Sequence, residues 1–447
     1  MKFKVKGLER QVLTPTLIYL WLIMFLIEVV KSALLVTILP VYMGSVLGLS
    51  AFAIGWSLSL QYIGDNFFRS PAGWLVERIG FRLTMLAGLA LALGAVALIA
   101  WGRQAGVIAA ACTLLGIGTA PLWPSVLVGI SDMNEGKQNF GTAMGIIQMS
   151  TLGGTGAGPV IINLFIHQSY SSVFWILLAC LAAAMLFALL LPGSARTPRT
   201  QRTQKTPRTP HGQKASRLRT LISHFSSTFS MVRNSLHVSR LLYPALFLQS
   251  FAVGLLTPII TLYIRTVLGL SPGMFSVLLV TGGAVTVLGL IPVGKLVDKH
   301  GTRIFLNIGF SLACLSILGL ALFRDLAAVW ILVIGAGLSY AFILPTWDTM
   351  IAGQLPKGEK GTVWGLFLTI QGTGMVAGPI VSGKLWDVYG PSAPFLVSAA
   401  SMGALLLIHL WISRPAPPAA AETGTTEIHK PAHAPVKRKS GPKARVR

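Results

Sequence analysis

Two oppositely charged side chains, Glu28 and Lys31, lie three residues apart in the stretch Phe25-Leu26-Ile27-Glu28-Val29-Val30-Lys31. On a helix that spacing puts them on one face. The apolar run around them, from about Thr16 to Leu39, is long enough to cross a bilayer, which takes roughly 20 residues. Glu28 then falls near the midplane, where a charge costs about 2.5–3.5 kcal/mol and must face a partner or a wet cavity. A carboxylate in that position can exchange a proton as a substrate comes and goes, which is what coupled transport needs. Asp65, four residues before Arg69 in the second apolar run, is a second such carboxylate. Lys31 can alternate between neutralising Glu28 and contacting an anionic or hydroxyl-rich substrate. The alternative is a static ion pair that fixes the rotation of the first span, but intramembrane ionisable groups default to function. Arg69, nearer the end of its run, suits structural pairing or snorkelling.

Trp123 and Trp347 occupy equivalent runs, close to Pro124 and Pro345. Their faces suit a sugar ring or a lipid, and equally suit packing or interfacial anchoring. Asp348, Gln148, Gln249 and Gln371 are further polar residues in apolar surroundings. No nucleotide-binding loop, metal-ligand spacing or nucleophile–base pair is present. An ion gradient is therefore the expected energy source, with no enzymatic activity, cofactor or metal.

These residues need a membrane scaffold, and the composition supplies one. Of 447 residues, 53% are hydrophobic and only 11% charged, with a mean hydropathy of +0.71. That is a multi-pass membrane protein. The formal charge of +23 gathers at Lys2, Lys4, Lys6 and Arg10, between Arg196 and Arg240, and after Ile412. No base-stacking aromatics are interleaved there, so anionic inner-leaflet lipid is the expected partner and nucleic acid is not. Cys112, Cys180 and Cys314 lie in apolar runs and read as packing residues.

Apolar runs near 16–39, 52–72, 83–102, 107–130, 140–166 and 172–192, then 241–264, 273–294, 304–323, 327–350, 361–383 and 392–413, predict an all-α protein of twelve spans. The proposed outer connections carry only Arg103, Arg265, Arg324 and Lys384, so both termini are expected in the cytoplasm. The organisation follows: an N-terminal six-helix bundle (1–192), a basic linker (193–239), a C-terminal six-helix bundle (240–413) and a basic tail (414–447). The linker is Pro-rich at first, then amphipathic from Arg217 to Val238, as for a helix lying on the inner surface. Linker start and tail are both expected to be disordered.

The halves repeat at an offset of about 220 residues. GWLVERIGFR (73–82) matches GKLVDKHGTR (294–303), and GTAMGIIQMSTLGGTGAGP (141–159) matches GTVWGLFLTIQGTGMVAGP (361–379). Three landmarks in register, counting GIG (116–118) against GAG (335–337), indicate an internal duplication. Gly73 and Gly294 would let helix ends approach closely, while Gly80 and Gly301 would turn the chain. Glu77, Arg78, Arg82, Asp298, Lys299 and Arg303 could latch the halves, and Asp132 could pair with Arg82. Gly145, Gly154, Gly158 and Pro159, echoed by Gly365, Gly374, Gly378 and Pro379, would let helices pack tightly and bend. Shifted by the offset, Glu28 falls on Gln249 and Lys31 on Ala252, so the second half lacks this charge pair.

The loop pattern Gly-x-x-x-Asp/Glu-Arg/Lys-x-Gly-x-Arg, present twice, resembles the signature of the major facilitator superfamily. The glycine–proline spacing of the fifth span is similar to that of the superfamily's proton-coupled exporters, with Ile162-Asn163 replacing the final paired glycines. The exporters' arginine of span four falls at Cys112. FLIEVVK, YIGDNFF, APLW and LPTWDTMIAGQ (344–354) more narrowly resemble bacterial flippases that move the glycolipid anchor of lipoteichoic acid. That resemblance implies that Glu28, Lys31, Asp65 and Trp123 line a hydrophilic central cavity, with Lys31 standing where the group has Arg. It implies an alternating-access, proton-coupled transporter of a glycolipid-like amphiphile in a bacterial cytoplasmic membrane. A multidrug or small-molecule proton antiporter is the alternative. A monomer is expected.

Overall fold

The computed structural model describes residues 14–133, 140–165, 170–192, 241–353 and 360–412. The basic N-terminus, the linker with its amphipathic stretch, and the tail lie outside them. All regular elements among the described residues are helices.

The first, α1 (Pro15–Val46), starts where Thr14 Oγ1 accepts the Leu17 N–H at 3.3 Å and where Pro15 has no N–H to satisfy. Further on it widens into π-helical turns at Ala33–Ile38 and Tyr42–Val46, on either side of Pro40. Proline cannot close the usual bond to the preceding turn, and the wider turns accommodate it. Next come α2 (Ala51–Ile79), α3 (Phe81–Trp101), α4 (Ala105–Thr119, continuing after a turn as Leu122–Met133), α5 (Phe140–Phe165) and α6 (Tyr170–Leu190). The second half holds α7 (Leu242–Leu256, broken around Pro258 and resumed over Ile260–Thr266), α8 (Pro272–His300), α9 (Arg303–Leu322), α10 (Leu326–Gly353), α11 (Lys360–Tyr389) and α12 (Ala393–Ile412).

Nine of these among the described residues are long and apolar enough to cross a membrane; α2, α5 and α11 are the others. These three present small or polar faces to neighbouring helices. A Cβ at Gly154 would lie 2.5 Å from the Phe25 carbonyl oxygen, and one at Gly158 would overlap Val29 O and Ser32 on α1. Gly374 and Gly378 of α11 stand likewise against Phe247 and Gly254 of α7. Gly145 belongs to the same spacing but meets open space, so it packs against nothing here. The surroundings of Gly365 lie outside the described residues.

The duplication extends to the connections. Gly48 and Gly269 both have φ of 64°, and Gly80 and Gly301 end α2 and α8 with φ of 90° and 81°, values that favour glycine. Ser50 and Ser271 cap α2 and α8, each accepting a backbone N–H at 3.2 Å. Each half has its own apolar core. One contains Leu20, Leu34, Met85 and Leu115, the other Leu246, Phe310, Phe367 and Phe395.

We call proximal the face where α1 begins and distal the face where it ends. Hydrogen bonds between the halves gather toward the distal side. Thr261 Oγ1 donates to the Val36 carbonyl, Ser59 Oγ to the Val376 carbonyl at 2.7 Å, and Asp387 accepts from Ala51 and Phe52. A Cβ at Gly55 would overlap the Pro379 carbonyl. The molecule is therefore sealed distally. Gly73 and Gly294, on the proximal side, show no such approach: a Cβ at Gly73 would meet Pro124 at 3.9 Å and one at Gly294 nothing within 4 Å.

Gly158→Val is expected to destabilise the protein by about 1–3 kcal/mol through overpacking against α1, lowering the thermal denaturation midpoint in detergent. Gly145→Ala should leave it unchanged or slightly raised.

Candidate functional site

Helix α1 carries Glu28 and Lys31 on one face, and the structure joins them: Lys31 Nζ donates to Glu28 Oε1 at 3.3 Å. Their side chains are 17% and 19% exposed, enclosed without being sealed. Gly154 explains the enclosure, because its missing side chain brings the α5 backbone against Phe25 and Glu28. On α2, Arg69 donates to Asp65 Oδ2 at 2.9 Å, and Asp65 is 8% exposed. A glycine contact sets this position too: a Cβ at Gly116 on α4 would overlap the Gln61 carbonyl, one turn before Asp65.

The two ion pairs form one electrostatic group, since Lys31 interacts with Asp65 and Tyr62 as well as Glu28. Tyr62 stands beside Thr257 of the other half. Neither residue stood out in the sequence. The signals were present: Tyr62 lies three residues before Asp65, and Thr257-Pro258 is a polar–proline step inside an apolar run. Thr257 also lines a cavity of about 360 Å³ among α7, α8, α9, α10 and α12, with Val36 of α1 at its edge. Its walls include Phe275, Leu279, Ile317 and Met402 and are almost wholly apolar. A charged group in one half thus adjoins an apolar cavity in the other.

The remaining candidates are placed as follows. Trp123 is half-buried against the first core. Trp347 is 4% exposed and packs edge-on to Phe310 at 5.8 Å, inside the second core. It is a packing residue in this conformation, with an indole N–H that lacks a partner among the described residues. Asp348 is exposed, and Gln249 accepts from the Ser250 hydroxyl at 3.2 Å.

In the loops, Arg82 donates to the Leu189 carbonyl at 2.6 Å, capping the last turn of α6. The side chains of Asp132 and Asp298 lie outside the described residues. Arg78 stacks over Trp74 at 4.1 Å, and Glu77 and Lys299 are exposed. The Arg303 carbonyl pairs with His409 at 3.4 Å.

A duplicated helical membrane protein with a charged site beside the join of its halves is a transporter scaffold. A model of the Major Facilitator Superfamily matches residues 20–238 and 242–443, and the chain belongs to that family. It is similar to proteins named proton-coupled antiporter flippase LtaA. The one from Staphylococcus saprophyticus is 28% identical over 378 residues, covering 83% of this chain and 87% of the relative. That from Staphylococcus haemolyticus is 25% identical over 395 residues, covering 85% and 92%. Among solved structures, the nucleoside transporter NupG superposes with a TM-score of 0.70 at 16% identity, covering 89% of this chain and 98% of that one. A POT family transporter in complex with 5-aminolevulinic acid gives 0.66 at 14%, covering 89% and 95%. These share the fold.

If the Glu28–Lys31 contact stabilises the enclosed site, Lys31→Met should cost about 1–3 kcal/mol by stranding Glu28. Adding Glu28→Gln should recover much of that loss, a coupling readable from a thermal-unfolding double-mutant cycle.

Proposed function

We propose that this chain is a proton-coupled antiporter that flips an amphiphilic, glycolipid-like substrate by alternating access. The observation that carries this reading is the adjacency at Thr257. The Glu28–Lys31 and Asp65–Arg69 pairs on one side suit a hydroxylated or anionic headgroup. The apolar cavity on the other suits acyl chains. A purely polar solute would leave that cavity unused. The relatives named as flippases match over most of both chains and point the same way.

In this reading Glu28 and Asp65 exchange protons, and Lys31 changes partner between Glu28 and the headgroup. Trp123 and Gln249 complete the polar lining, and Trp347 and Asp348 join it as α10 moves. The halves, residues 1–192 and 240–413, rock about the site within a bacterial cytoplasmic membrane. The proximal face is cytoplasmic, because Arg103, Arg265, Arg324 and Lys384 are the only basic residues on the distal connections. The distal seal then makes this the conformation that loads from the inside, where the basic termini and linker meet anionic lipid.

In proteoliposomes, an imposed proton gradient is expected to drive transfer of a fluorescent glycolipid between leaflets. Glu28→Gln and Asp65→Asn should each slow it roughly tenfold or more. A flat glycolipid signal with intact gradient-driven efflux of a hydrophobic dye would overturn the substrate class in favour of small-molecule export. Full transport in the double amide variant would overturn the proton role of these carboxylates.

A further inference from the structure

The start of α2 is capped by the opposite half of the molecule. A helix leaves its first N–H groups without intrahelical partners. Here Ser50 serves one of them: its Oγ accepts from Ala53 at 3.2 Å, and the Ile54 N–H makes the first regular helical bond, to the Ser50 carbonyl at 3.2 Å. The N–H groups of Ala51 and Phe52 instead donate to Asp387, to Oδ1 at 3.0 Å and Oδ2 at 2.9 Å. Asp387 lies near the end of α11, and beside it the Lys384 ammonium sits 5.9 Å from the Phe52 ring centroid. Gly383-x-x-x-Asp387-x-x-Gly390 repeats the spacing of Gly73, Glu77 and Gly80. Gly390 also repeats the φ of 90°, so this is a third copy of the helix-ending motif, placed on the distal side.

The duplicated helix presents one donor fewer at this point. At the offset of 221, Ala51 becomes Pro272, which has no N–H to satisfy. The carboxylate cap is thus an asymmetric feature of α2 and α11.

We propose that Asp387 is the gate residue of the distal face. Its carboxylate is a removable cap for α2, and opening the distal side requires breaking both charge-assisted hydrogen bonds, which belong to the strong class. The gate acts on the conformational equilibrium whatever the cargo.

The test uses the full chain in nanodiscs, in a background with its native cysteines replaced. Spin labels at Val46→Cys and Phe323→Cys, both exposed near the distal ends of α1 and α9, report the separation of the halves by pulsed electron resonance. Asp387→Ala is expected to raise the ratio of long to short distances roughly tenfold. Ala51→Pro removes one donor at a position where proline is tolerated, and should shift the ratio the same way by less. It decides the question alone if Asp387→Ala fails to fold. Unchanged distances in Ala51→Pro, with or without a shift in Asp387→Ala, would overturn the proposal. The readout needs neither substrate nor proton gradient, so its failure is distinct from failure of the flippase reading.

Discussion

Holding charge inside a hydrocarbon slab is the constraint from which the rest of the structure follows. Glu28 and Lys31 meet it first with one another, at 3.3 Å on the same face of α1. Pairing alone leaves the lone pairs and ammonium protons under-satisfied in a medium of low dielectric. The second requirement is therefore a crevice that stays polar, and helix packing provides it. Gly154 and Gly158 bring the α5 backbone against α1 beside Glu28, while α2 carries Asp65, paired with Arg69, toward Lys31.

The duplicated scaffold serves two unlike halves. Both carry the same serine caps and left-handed glycines, and each builds its own core. Their interiors diverge: ion pairs in the first, an apolar cavity of about 360 Å³ in the second. Thr257, at the proline break in α7, belongs to both. The break frees backbone groups next to a cavity, where they can be satisfied by neighbours or water. On the distal side the halves join through main-chain groups of α1, α2 and α11, which only small residues such as Gly55 allow to come together.

Much of the fold was legible because its determinants are local. Apolar length marks spans, and Gly80 and Gly301 mark chain turns by a steric rule that needs no neighbours. The Glu28–Lys31 and Asp65–Arg69 pairs were legible for the same reason, as helical spacing brings such partners together. Gly145 and Gly294 show where local reading stops. Each has the spacing of a packing glycine, yet each faces open space in this conformation. For Trp347 the sequence left a cavity role and a packing role open; in this conformation it packs against Phe310, because which face of α10 turns inward depends on α9.

The sequence by itself determined the membrane class, the duplicated helical scaffold, the absence of a Glu28–Lys31 counterpart in the second half and the pairs within one helix. All of these are written in composition, periodicity and i to i+3 or i+4 spacing. The tertiary structure alone decided what meets across helices and between halves. Arg82 caps α6, Tyr62 stands by Thr257, and Asp387 reaches α2 across 335 residues of chain. Such contacts depend on the relative placement of packed helices, and no local pattern of residues encodes that.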